Sequence, residues 1–308
     1  MVQDLRQMYL DIVRRTILGF TYKDPSFNPE VQVKSYDECF QLHHYGKFYP
    51  NKSLIPFDPI SRDLGTDWPL IAHSMVGNKR LINIQTLAED VINKNIAGDF
   101  IETGVWRGGA CIFMSAILRA YGITNRSVYV CDSFEGLPPP KDHEYPADRG
   151  DTHYAAPFLR ISLDEVRENF EGYDLLTDQV KFVKGWFCDT LPNLGAEKLA
   201  ILRLDGDMYE STIQALENLY PKLSVGGHLI IDDYALPNCH RALEDYRKFH
   251  DITDEYVIID NSSAYWTKTK ELNADKVAHR FKNTEPPPPA PIPTFSMPNR
   301  GGSISSVF

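Results

Sequence analysis

Leu199-Ala200-Ile201-Leu202-Arg203-Leu204-Asp205-Gly206-Asp207 and Gly227-His228-Leu229-Ile230-Ile231-Asp232-Asp233-Tyr234 are two short apolar runs, and a pair of aspartates lies at the end of each. Runs of branched apolar residues this brief, bounded by glycine and charge, read as buried strands of a parallel sheet. In open α/β sheets the ligand lies outside the carboxyl ends of the strands. Asp205, Asp207, Asp232 and Asp233 are therefore expected to converge on one crevice. Carboxylates packed together repel one another and take up protons unless a cation balances them. Their oxygens suit Mg²⁺, Ca²⁺ or Mn²⁺, so the pattern predicts a divalent-cation site beside a reaction centre.

Outward from these runs the chain alternates between the two periods. Strands are expected at 99–103, 127–132 and 180–184, helices at 108–121, 162–170, 210–220 and 239–249, and two closing strands at 256–260 and 264–269. Ser162 followed by Glu165 reads as a capping box. Apolar spacing over 1–20 predicts an amphipathic helix, and 79–96 a second one. Residues 21–65, rich in Pro and aromatics and containing His43 and His44, are expected to be irregular structure laid over the site. Residues 135–160, with three consecutive prolines and Asp151-Thr152-His153-Tyr154, are too long for a routine connection and read as a lid. The polyproline stretch 285–293 predicts a disordered tail over 284–308. The organisation expected is an N-terminal extension at 1–78, an α/β domain at 79–270 and a Pro-rich tail at 271–308.

The 308 residues are 43% hydrophobic with a formal net charge of −10. That balance argues against a general affinity for nucleic acid or for an anionic membrane, either of which needs a basic face. Five cysteines without a CxxC pair read as free thiols in a reducing cytoplasm. The N-terminus lacks the uninterrupted apolar core of a signal peptide, and no stretch is long enough to span a bilayer.

The first strand-to-helix junction is Ile101-Glu102-Thr103-Gly104-Val105-Trp106-Arg107-Gly108-Gly109. Its small residues let a ligand approach the backbone. Trp106, in place of the second glycine of a dinucleotide turn, disfavours a pyrophosphate there. Glu102 suits an ammonium group, as in S-adenosylmethionine, which carries an amino group and no phosphate. Asp132, ending the second strand, can bind two ribose hydroxyls. Asp189, in Gly185-Trp186-Phe187-Cys188-Asp189-Thr190-Leu191-Pro192, can accept from an adenine amino group.

Together these motifs resemble the macrocin O-methyltransferase-like enzymes. The resemblance rests on Leu202-Arg203-Leu204-Asp205-Gly206-Asp207-Met208-Tyr209-Glu210-Ser211-Thr212, His73-Ser74-Met75-Val76-Gly77, the Glu102–Gly109 turn, Asp132-Ser133-Phe134-Glu135-Gly136-Leu137-Pro138, the 185–192 segment and Ile231-Asp232-Asp233-Tyr234. It implies a class I methyltransferase fold, a Rossmann-like doubly wound sheet of seven mostly parallel strands with the last antiparallel. It also implies S-adenosylmethionine, Mg²⁺ and methyl transfer to a sugar hydroxyl of a natural product. By position, Asp205, Asp232 and Asp233 resemble the metal ligands. Ser74, Met75, Glu102, Gly104, Trp106, Asp132, Ser133, Ser162 and Asp189 resemble cofactor contacts, and Asp207 or His153 resembles the base. A homo-oligomer is expected by resemblance alone. Two other readings are an NAD-dependent oxidoreductase acting on a nucleotide sugar and an inactive methyltransferase fold serving as an interaction module. The first leaves the aspartate cluster unexplained and lacks an obvious YxxxK pair; the second leaves the intact acidic set without a role.

Overall fold

The computed structural model describes residues 2–27, 54–276 and 281. His43, His44, Cys39 and the expected tail over 284–308 lie outside the described residues. The order of elements is α1 (Val2–Ile17), β1 (Ser26–Phe27), β2 (Leu54–Ile55), α2 (Pro59–Leu64), α3 (Gly77–Asn93), β3 (Asp99–Thr103), α4 (Gly109–Ala120) and β4 (Val128–Asp132). Then follow α5 (Leu163–Gly172), β5 (Val180–Lys184), α6 (Phe187–Thr190), β6 (Leu199–Leu204), α7 (Tyr209–Leu219), β7 (Leu223–Ile231), α8 (Pro237–His250), β8 (Val257–Ile258) and β9 (Ala264–Thr267).

Seven strands form one sheet in the order β5-β4-β3-β6-β7-β9-β8. The pairs among β3 to β7 are parallel, and β9 runs antiparallel to both of its neighbours. This is the expected doubly wound sheet with its last strand reversed. Both faces are covered, which is why the strands read as continuous apolar runs rather than alternating ones. Phe100, Val130, Ile201 and Ile230 point to one side, into a core with α1, α3, α4 and α5. Ile101, Leu202, Leu229 and Ile231 point to the other, against α7 and α8. Helix α1 sends Leu10, Val13 and Ile17 into the first of these cores and lies against α4. Among the described residues no helix is long and apolar enough to cross a membrane.

The stretch expected to be irregular contains a small antiparallel pair, β1 with β2, and the helix α2. The helix has sequence signals that composition obscured. Asp58 caps its amino end by accepting from the Ile60 and Ser61 backbone N–H groups, Pro59 takes the first turn, and Gly65 closes it at φ +64°. Strand β7 begins at Leu223, ahead of the apolar run that opens at Gly227, because Gly226 and Gly227 carry the chain through an irregular register opposite Leu199–Ile201.

The chain lays β3, β4 and β5 outward on one side, then crosses to β6 on the other. The strand order therefore reverses between β3 and β6, and the crevice opens there.

Candidate active site

A cavity of about 400 Å³ lies over the carboxyl ends of these central strands. Its lining includes twelve of the fourteen residues singled out from sequence: Ser74, Met75, Glu102, Gly104, Trp106, Asp132, Ser133, His153, Asp205, Asp207, Asp232 and Asp233. The other two, Ser162 and Asp189, do not line it. The Ser162 hydroxyl is engaged as the N-cap of α5, accepting from Glu165 N–H at 3.2 Å. Asp189 is exposed on α6.

On the β3/β4 side the turn is rigidly built. Asp132 accepts from the backbone N–H of Val105 at 2.8 Å and of Phe134 at 2.7 Å, which fixes the carboxylate against the Gly-rich turn. Burial raises its pKa, and those N–H groups oppose the rise. Trp106 sits at φ +45°, and its indole N–H donates to Phe158 O at 2.9 Å, joining the turn to the lid. The neighbouring Arg107 guanidinium stacks 4.1 Å from the Trp106 ring centre and donates to the carbonyls of Pro69, Leu70 and Ala72. Gly104, which lines the cavity, is also required by the packing of the chain: it lies at φ +82°, and a Cβ there would be 1.6 Å from the Asp205 carbonyl oxygen, so the glycine lets two strand ends approach each other.

On the β6/β7 side one ligand oxygen each from Asp205, Asp232 and Asp233 lies within 4.8 Å of the others. Two guanidinium groups brace this cluster. Arg203, with no exposed side-chain surface, pairs with Glu102 on β3, with Asp205 at 2.7 Å, and with Asp232 at the end of β7. Arg80 of α3 donates to the other oxygen of Asp232 at 2.6 Å and to Asp260 at 2.8 Å. The pKa values of Asp205 and Asp233 stand well above the ordinary carboxylate range. Burial is the main cause, and the neighbouring aspartates add to it, Asp232 for Asp205 and Asp207 for Asp233. An all-oxygen donor set of mutually repelling carboxylates, with Asp232 and Asp233 buried and Asp205 half-buried, fits a hard divalent cation.

Asp207 follows Gly206 in the left-handed region at φ +58°, and its N–H donates to Asp233 at 3.0 Å. Burial pushes its carboxyl up to about 6, against the pull of His153. His153 in turn is raised, first by its hydrogen bond to Asp151. The lid that carries this pair is anchored. Asp148, fully buried, accepts from the N–H groups of Tyr209 at 2.7 Å and Glu210 at 2.9 Å, at the start of α7.

Sequence reasoning gave no role to Arg203, Arg80 or Arg107. Arg203 had a visible signal, a charge inside an otherwise apolar strand. His73, part of a quoted motif, bonds through Nδ1 to Tyr173 OH at 2.9 Å, and burial holds its pKa down at about 4. Of the described cysteines, Cys111, Cys131 and Cys239 are buried free thiols as expected, and Cys188 is exposed at the cavity.

Comparison with known proteins places these motifs. The sequence family described as Macrocin-O-methyltransferase (TylF) matches residues 6–268. Demethyldecarbamoylnovobiocin O-methyltransferase of Streptomyces niveus is 45% identical over 265 residues, covering 85% of this chain and 94% of that protein. The 8-demethyl-8-(2,3-dimethoxy-alpha-L-rhamnosyl)-tetracenomycin-C 4'-O-methyltransferase of Streptomyces olivaceus is 46% identical over 270 residues, covering 87% and 95%. The solved structure of the O-methyltransferase NovP superposes with a TM-score of 0.76 at 43% identity, covering 86% of this chain and all of that one.

Proposed function

Because the chain belongs to the macrocin-O-methyltransferase (TylF) family, we propose that it moves a methyl group from S-adenosylmethionine to a hydroxyl of a sugar carried by a natural product, with Mg²⁺ as the metal. The observation that carries this reading is the convergence of Glu102, Asp132 and the three clustered aspartates on one cavity. Glu102 is the partner for the cofactor's ammonium group and Asp132 for its ribose hydroxyls, with Ser74, Met75, Gly104, Trp106 and Ser133 forming the wall around them. Asp205, Asp232 and Asp233 would hold the ion. When bound, it supplies positive charge where negative charge develops on the acceptor oxygen.

The rest falls to the side chains. The acceptor oxygen attacks the methyl carbon in line with the sulfonium, the carbon–sulfur bond breaks, and S-adenosylhomocysteine leaves. The hydroxyl proton must depart as the new bond forms, and a carboxylate or an imidazole can take it. Asp207 and His153 both line the cavity, and Asp151 keeps the imidazole oriented. A sugar with two adjacent hydroxyls would suit a three-aspartate site, since a hard divalent cation held by Asp205, Asp232 and Asp233 would take oxygen ligands from it.

The test is calorimetric titration of S-adenosylhomocysteine with Mg²⁺ and then with EDTA, followed by methyl transfer to glycosylated acceptors. Micromolar binding in both buffers with turnover only in Mg²⁺ supports the reading. Turnover unaffected by EDTA removes the metal from it, and no nucleoside binding removes the cofactor.

A further inference from the structure

Glu210, in the first turn of α7, is 3% exposed and lines the cavity. Its Oε1 accepts from Lys141 Nζ of the lid at 2.6 Å and from Gln214 Nε2 at 2.9 Å. Its Oε2 is equally buried and has no hydrogen-bond partner among the described residues. A buried carboxylate oxygen left without a donor is costly, and the cavity is where a donor can come from. The proposed methyl-transfer chemistry has no use for this group.

Its surroundings say what kind of donor. Phe187 and Cys188, which follow strand β5, line the same cavity, as does Leu137 of the lid. A flat aromatic base suits such a wall, and the polar cluster of Glu210, Lys141 and Gln214 belongs to the same lining. That cluster offers a free acceptor beside one group with hydrogens to spare: the Lys141 ammonium carries three and gives one to Glu210, whereas the Gln214 amide spends its two on Glu210 and on Tyr145 OH. The amino edge of adenine is the complement: its exocyclic N–H donates, and the adjacent ring nitrogen accepts. Asp189, which the sequence suggested for this task, is exposed and outside the cavity lining.

We propose that Glu210, with Lys141, reads the amino edge of the cofactor's adenine, accepting its exocyclic N–H at Oε2, while Gln214 holds the carboxylate in place. The proposal rests on the S-adenosylmethionine reading above. It makes Glu210 a cofactor-selecting residue and ties the lid to the base through the Lys141 ion pair.

The experiment titrates three ligands into the full chain without acceptor: S-adenosylhomocysteine, its 6-oxo analogue S-inosylhomocysteine, and the analogue whose purine lacks the amino group. The unmodified protein should bind S-adenosylhomocysteine about tenfold or more tightly than either analogue, a difference of about 1.4 kcal/mol. In Glu210→Gln that preference should collapse, with S-inosylhomocysteine gaining relative to the parent, because an amide N–H can donate to the 6-oxo group. Equal binding of all three by the unmodified protein overturns the proposal, and so does a ranking unchanged in Glu210→Gln. The first comparison changes only the ligand, so it stands even if the variant does not fold. Failure of all three to bind is a different result, since it removes the cofactor reading itself.

Discussion

Asp151 holds His153 at two points. Its Oδ1 accepts the His153 backbone N–H at 2.8 Å, and its Oδ2 lies 2.9 Å from Nδ1 of the ring. The pair sets the tautomer, with Nδ1 protonated and Nε2 left as the acceptor. The hydrogen bond to Asp151, helped by the charge of Asp207, raises the imidazole pKa against a smaller opposing effect of burial. If His153 is the base, the acidic limb of kcat/KM lies above the ordinary histidine value of about 6.5. Asp151→Asn then moves that limb to lower pH. A limb that stays where it was assigns the proton to another group. If the limb lies near 6 and disappears in Asp207→Asn, that group is Asp207, whose carboxyl stands at about 6.

The same raised pKa has a sign for stability. A histidine whose pKa is higher folded than unfolded contributes stability that is fully present below the unfolded value and is lost as pH rises through the folded one. Thermal melts of His153→Gln and the parent should therefore differ more at pH 5.5 than at pH 8.5. The experiment is a pair of melting curves, and a difference independent of pH would contradict the shift.

Asp232 and Asp233 are adjacent, and their substitution should have different consequences. Each oxygen of Asp232 accepts from a guanidinium, Arg203 on one side and Arg80 on the other. Asp232→Asn leaves both cations short of a counter-charge, and breaking a buried pair costs about 3–5 kcal/mol. Asp233 instead accepts from the Asp207 N–H and is repelled by its neighbours. Asp233→Asn should keep or raise Tm while lowering turnover by about a hundredfold or more. S-adenosylhomocysteine binding should survive in Asp233→Asn. Equal melting temperatures for the two variants would show that the arginine clasp carries little.

Gly104→Ala should be among the most damaging small changes in the chain. The added Cβ would overlap the Asp205 carbonyl oxygen, and the residue must also hold φ at +82°. A loss of more than about 3 kcal/mol is expected, read by denaturant unfolding. A near-native variant would mean that β3 and β6 separate easily at their carboxyl ends.

Arg203→Met removes the cation between Glu102, Asp205 and Asp232. Alone it should destabilise strongly. Combined with Glu102→Gln it should recover part of the loss, with a coupling energy of about 0.5–3 kcal/mol in a double-mutant cycle. Strict additivity would show that the Arg203–Glu102 contact is energetically idle.

The sheet was legible because both of its faces are buried, so Leu199–Leu204 and 228–231 read as strands without alternation. The acidic residues were legible because strand ends carry the chemistry in this class of fold. The lid's anchoring and the arginine braces were not legible. Arg203 bonds to residues 101 and 29 positions away, and Arg80 to one 152 positions away, and sequence spacing carries no trace of such pairs. Asp189 and Glu210 show the same limit from the other side. Both are acidic residues in the first turn of a helix beside the cavity, α6 for one and α7 for the other, and only the packing of the two helices decides which faces inward.

Arg107 gives the cleft an unusual division of labour. Its guanidinium fastens the carbonyls of Pro69, Leu70 and Ala72, in the segment that forms part of the cavity's rim, to the turn that carries Gly104 and Trp106. Floor and rim are thus bolted together through main-chain oxygens, which every residue possesses. Side chains along that rim, Trp68 among them, can be exchanged without loosening the bolt. Substitutions along this rim can therefore reshape the mouth of the cavity while the turn at its floor keeps its place.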